Sequence, residues 1–151
     1  MARKITVAFS AVALATTLTA CGPGVDAPTR LINQVTDGVE ANVSTDETLI
    51  YLRNVYISLN PNGDASLIGT IINQKEREDA LLAVAINRQE IKIDPIAAKL
   101  NKPIIFGGES SNASVTLPAS GLIAGHRYPI SFFFGVSGAV SVDALVVAAE
   151  S

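Results

Sequence analysis

An all-β, Ig-like antiparallel β-sandwich, set behind a lipoprotein signal peptide and a flexible tether, is the architecture this sequence predicts. Three observations carry that expectation. Runs rich in β-branched and aromatic residues recur from Leu49 to the C-terminus. Turn-forming clusters separate them, and hardly any helical period is visible. The first 21 residues have a different character, with a short basic start, an apolar run and a terminal cysteine.

In that leader, Arg3 and Lys4 precede an uncharged, mostly apolar run from Ile5 to Leu18, and Leu18-Thr19-Ala20-Cys21 has the form of a lipobox. The run is shorter than the roughly 20 apolar residues that span a bilayer, so it reads as a cleaved signal rather than an anchor. Cys21 is the only cysteine. As the first residue after the cut its thiol would take a diacylglyceryl thioether, and two or more acyl chains make a lasting membrane anchor. The bland rival is an ordinary signal peptide with a coincidental cysteine. The expected division is therefore a lipoprotein signal peptide at 1–20, a lipidated tether at 21–36 and a β-sandwich domain at 37–151. Gly22 to Val35 holds two prolines, two glycines and no apolar period, as a tether should.

Residues 21–151 keep nine of the 11 basic residues and all 14 acidic ones, a net charge of −5. That balance argues against nucleic acid or anionic head groups as partners of a basic patch. No later stretch holds the roughly 18 uninterrupted apolar residues of a spanning helix. With Cys21 acylated no thiol remains, so the domain has no disulfide and must rest on apolar burial.

Strands are expected near Val39, over Leu49–Leu59, Ala65–Asn73 and Leu81–Ile86, around Glu90–Ile93, near Ile104–Phe106, and over Ala113–Leu117, Arg127–Val136 and Val140–Ala148. Asn60-Pro61-Asn62-Gly63-Asp64 makes a hairpin-type turn. Gln74 to Asp79 reads as a solvated charged loop, and Pro95 to Leu100 as one helical turn. In the last hairpin Ile130, Phe132, Phe134 and Val136 share one face with Val140, Val142, Ala144 and Val146 of the partner strand, the expected core. Phe133, Leu145 and Val147 fall on the other face, where either a loop covers them or a partner does.

Chemistry is sparse. The single histidine, His126, sits in a glycine-flanked turn with no nucleophile motif beside it, and reads as an exposed turn residue. Zinc and copper sites need several His, Cys or Met ligands, and the only methionine is Met1. Gly107-Gly108 lacks the context of a phosphate loop. The triplets at Asn42 and Asn112 match a glycosylation acceptor by chance. No catalytic residue, metal ligand or cofactor is expected, and the chain is expected not to be an enzyme. The one site residue expected is Cys21, for lipidation.

Two resemblances add to this. Gly69-Thr70-Ile71-Ile72-Asn73, Leu81-Leu82-Ala83-Val84, Ser120-Gly121-Leu122 and the run Gly125 to Phe134 resemble the sandwich of PCu(A)C-type copper chaperones. Those proteins hold Cu(I) with His and Met ligands, so the resemblance implies the fold while the missing methionines argue against the activity. The lipobox, Tyr51-Leu52-Arg53-Asn54-Val55, Pro118-Ala119-Ser120-Gly121 and the aromatic final hairpin resemble the LpqE-like lipoproteins of actinobacteria. That resemblance implies a non-catalytic accessory subunit on the extracytoplasmic face of the cell membrane, in the supercomplex that joins cytochrome bcc to cytochrome aa3 oxidase. The alternative is an extracytoplasmic ligand-binding or metal-chaperone-like lipoprotein that lacks the usual copper ligands.

Overall fold

A computed structural model describes residues 38–149. The expected signal peptide (1–20) and tether (21–36), with Cys21, lie outside the described residues. Nine strands and no helix occur among those described: β1 Val39–Ser44, β2 Leu49–Leu59, β3 Ala65–Asn73, β4 Asp79–Ile86, β5 Gln89–Ala98, β6 Ile104–Phe106, β7 Thr116–Leu117, β8 Arg127–Phe134 and β9 Gly138–Ala148. The all-β sandwich is as the sequence predicts.

The strands run in the order β5-β4-β8-β9-β2-β3-β6, with β1 added on β2 and β7 on β3. One layer holds β5, β4, β8 and the first part of β9. The other holds β1, β2, β3, β6 and β7. Strand β9 belongs to both, because Val146–Ala148 run parallel to Ile57–Leu59 of β2 after the earlier residues have paired with β8. Strand β1 pairs with the N-terminal part of that same β2 edge, Leu49 to Val55. The sheet thereby curls over itself and encloses one core.

The inward rows are Ile50, Leu52, Val55, Ile57, Leu67, Ile71 and Val146 from one layer against Leu81, Val84, Ile86, Ile130 and Phe132 from the other, all buried. Burying each such side chain stabilises the fold by about 1.5–3 kcal/mol before chain entropy is subtracted. In the final hairpin the expected core row holds, with one exception. Val136 is 38% exposed, because β8 stops at Phe134 and Gly135, Val136 and Ser137 form the turn.

Two further expectations are corrected. Pro95 to Ala98 is the end of β5 and not a helical turn; Pro95 lies where the β4–β5 register slips, on an edge strand that tolerates a missing N–H. Asp79 is not part of a solvated loop. It begins β4 and is 5% exposed, because the β8–β9 turn supplies its hydrogen bonds. The turn at Asn60 to Asp64 is as expected, closed by Gly63 N–H to the Asn60 carbonyl (2.9 Å) with Gly63 at φ +88°.

Candidate functional site

The residues of the sequence that carry reactive chemistry do not converge. His126 is exposed, in the loop before β8, and its backbone N–H bonds the Ile123 carbonyl at 3.1 Å. Gly107 and Gly108 both take positive φ in the turn after β6, where Gly107 lies so close to Ile68 that a Cβ would sit 2.3 Å from its Cδ1. The Asn112 amide is occupied as a loop staple: its Oδ1 accepts from Ile105 N–H (2.8 Å) and its Nδ2 donates to the Pro103 carbonyl (2.9 Å). Among the described residues no group of three or more His, Cys, Asp or Glu is placed to hold a metal.

What the fold does build is a clamped corner. Asp79 Oδ1 accepts from the backbone N–H of Ala80 (2.7 Å) and Val136 (2.8 Å), and Oδ2 from the N–H (2.8 Å) and hydroxyl (2.6 Å) of Ser137. Ser137 Oγ also lies 2.8 Å from Thr48 Oγ1, which is 2.7 Å from Thr45 Oγ1. Ser137 has one hydroxyl proton and the carboxylate only accepts, so that proton goes to Asp79 and Thr48 turns its own toward Ser137. Burial pushes the Asp79 carboxyl up, but the hydrogen bonds from Ser137, Val136 and Ala80 outweigh it and hold the group below its ordinary value of 3.8. One carboxylate thus ties the β8–β9 turn to β4, and through Thr48 to the β1–β2 turn.

The clamp presents apolar surface. Four large apolar side chains are exposed among the described residues, and three of them, Leu82 (42%), Phe133 (36%) and Val136, come from this corner. Leu82 is ejected by a bulge: Leu81 pairs with Phe134 and Ala83 with Phe133, which leaves Leu82 without a partner of its own. Its Cδ1 lies 3.7 Å from the position of a Cβ on Gly135, next to Val136. Phe133 stands between two alanines, Ala83 on one side and Ala139 on the other, so no neighbour across the strands is tall enough to shield its ring.

The face expected of Phe133, Leu145 and Val147 is not one patch. Phe133 pairs with Ala139, whereas Leu145 pairs with Arg127 at the other end of the hairpin, about 20 Å away at roughly 3.3 Å per residue. Val147 pairs with Ser58 of β2, and both Leu145 and Val147 are half-buried. Leu82 and Val136 were missed as exposed residues. The doublet Leu81-Leu82 inside an alternating strand is the one signal that points to Leu82.

No family model matches the chain, and no curated protein does. Solved structures do. The apo PCuAC domain from PmoF1 superposes with a TM-score of 0.58 at 20% identity, covering 74% of this chain and 100% of that domain. The copper-bound PCuAC domain from PmoF2 gives 0.55 at 18% identity, with 74% and 99% covered, and the apo form of that domain gives 0.56 at 17%, with 74% and 98%. The fold is PCuAC-like. At such identities the likeness is one of fold alone.

Copper is named for one of those neighbours, and the PCuAC-like domain here does not fit it. A copper site of the His and Met kind needs several soft or imidazole donors facing one another. The described residues contain no methionine and a single histidine, His126, which stands in solvent.

Proposed function

We propose that this chain is a lipid-anchored, non-catalytic accessory subunit, held through Cys21 at the extracytoplasmic face of the cell membrane and docked on the cytochrome bcc–aa3 respiratory supercomplex. The anchor rests on the lipobox, and the partner on the resemblance to LpqE-like lipoproteins. The observation that carries docking in preference to chemistry is the corner of Leu82, Phe133 and Val136. Three large apolar side chains are held in solvent by a buried clamp, where the core has no use for them. The PCuAC-like fold lends the metal-chaperone alternative weak support, since the donors such a protein would use are missing.

The test is gentle solubilisation of native membranes, capture of this protein, and measurement of the haem that comes with it. Wild type brings down cytochrome haem. Phe133→Glu sets a charge against an apolar contact, at about 2–5 kcal/mol, which lowers recovery about 30-fold or more while the isolated variant melts near wild type. Absence of haem with wild type sinks the subunit reading. Cys21→Ser removes the thiol that would be acylated and abolishes detergent-phase partitioning; a wild-type mature protein lacking the diacylglyceryl mass sinks the anchor.

A further inference from the structure

Far from the apolar corner, the end of β2, the start of β3 and the loop after β6 enclose a cleft of about 250 Å³, open along one side. Its polar lining is Ser58, Asn60, Ser66, Ser111, Ser114 and Thr116, and none of the residues lining it is charged. None of these six side chains bonds to another described residue. Its apolar floor is led by Ile68, which pairs with Tyr56 on the outer face of the sheet. Tyr56 lies two residues before Ser58 on that face, half-buried.

The wall is pinned in place. The Asn112 amide bonds Ile105 and Pro103, Ala113 N–H bonds the Ile105 carbonyl (3.2 Å), Leu67 N–H bonds the Val115 carbonyl (3.1 Å), and Thr116 pairs with Ser66. Ser58, Ser66 and Thr116 therefore stand side by side on the outer face of three paired strands, with Ser111 and Ser114 of the loop after β6 lining the same cleft, and a ligand would meet a preorganised surface.

We propose that this cleft binds an uncharged, polyhydroxylated ligand, one or two rings of a neutral glycan. Each of five hydroxyls can donate and accept, and Asn60 adds two donors and an acceptor, which matches the mixed demands of vicinal hydroxyls. A lining without Lys, Arg or His has no cationic side chain to offset desolvation of a phosphate or carboxylate, and one without Asp or Glu has no charge for a cation. Sugar rings also have an apolar C–H face, for which Ile68 supplies a surface in the cleft, with Tyr56 paired beside it on the same face of the sheet. The volume is below the roughly 300–1,000 Å³ of sites that enclose a drug-sized molecule, so the chain of the glycan runs on past the cleft. This site is independent of the docking corner, and its test does not involve the membrane partner.

The experiment is a titration of the full lipidated protein, in phosphocholine micelles that carry no sugar head group, with a panel of neutral tetrasaccharides (α- and β-linked glucans, a mannan and a galactan) and with inorganic phosphate as the charged control. Amide and aromatic chemical shifts are followed. At least one tetrasaccharide should move the signals of Ser58, Ser66, Ser114, Thr116 and the Tyr56 ring in a saturable way, and phosphate should move none of them. Thr116→Val removes one hydroxyl at constant shape and should weaken binding about fivefold; Ser114→Trp fills the gap and should abolish it, with both variants keeping the wild-type melting profile. No saturable shift with any member of the panel, or shifts that survive Ser114→Trp, would overturn the assignment, as would a response to phosphate equal to that of the sugars.

Discussion

Strands β2 and β4 each carry one bulge, and the two differ in what they push into water. In β2, Asn54 and Val55 stand opposite Gly69 alone, so the buried positions change from Ile50 and Leu52 to Val55 and Ile57. The extra residue turned outward is Asn54, at φ +51°, a conformation that asparagine tolerates better than most. In β4 the buried positions change from Leu81 to Val84 and Ile86, and the extra residue is Leu82. The same backbone device thus exposes a polar residue in one layer and an apolar one in the other. A polar residue at a bulge needs no explanation beyond folding. An exposed leucine beside an exposed phenylalanine and valine does, and the docking proposal rests on that contrast.

The largest test of this contrast removes what holds the β4 corner. Asp79→Ala leaves the N–H groups of Val136 and Ser137 and the Ser137 hydroxyl without their acceptor, and should cost about 3 kcal/mol in urea unfolding. The same carboxylate gives a pH signature. Its folded-state pKa is depressed, so its contribution is fully present above the unfolded value of about 3.8 and is lost as pH falls through the lower folded value. Stability measured against pH should therefore fall more steeply in wild type than in Asp79→Asn as the pH drops from about 3.8 towards that lower value. Parallel acid limbs would show that the clamp does not stay charged.

Smaller effects belong to the β2 bulge. Gly69 sits at φ +151°, and a Cβ there would meet Val55 Cγ2 at 3.1 Å and the Arg53 carbonyl at 3.3 Å. Gly69→Ala should cost about 1–2 kcal/mol, and a neutral result would mean that the bulge relaxes freely. Asn54→Ala should cost about 1 kcal/mol, the penalty of a left-handed backbone on an ordinary side chain. The smallest change sharpens the comparison most. Leu82→Ser should alter stability by less than about 0.5 kcal/mol, because Leu82 is an exposed bulge residue outside the core, yet should reduce haem recovery from native membranes. A loss of stability as large as that of a core leucine would place Leu82 in the fold and not on a docking surface.

Much of the sandwich was legible because alternation is local. The row Ile130, Phe132 and Phe134 against Val142, Ala144 and Val146 is buried as the period-2 pattern of the hairpin predicts. Reading β2 as one uninterrupted strand also located it correctly, although the shift of apolar positions from 50 and 52 to 55 and 57 already marks its bulge. Asp79 was beyond such a reading. It ends a run of charged residues, and nothing local distinguishes it from Glu78, which remains exposed and pairs with Lys99 at 3.2 Å. Pro95 misled because proline at the start of a helical turn and proline at an edge-strand bulge look alike in sequence.

By itself the sequence determined the β-rich content, the inward rows of the core and the scarcity of metal donors, and it carries the lipobox-like pattern at Cys21, since each follows from composition or from neighbours a few residues apart. Tertiary structure alone decided that Asp79 is buried, that Leu82, Phe133 and Val136 share a corner, and that hydroxyls from β2, β3 and the loop after β6 face one cleft. Those features join residues far apart in the chain, such as Asp79 and Ser137 at a separation of 58. A one-residue bulge anywhere between reverses which side chains face water. Strand pairing sets that phase, and no local pattern contains it.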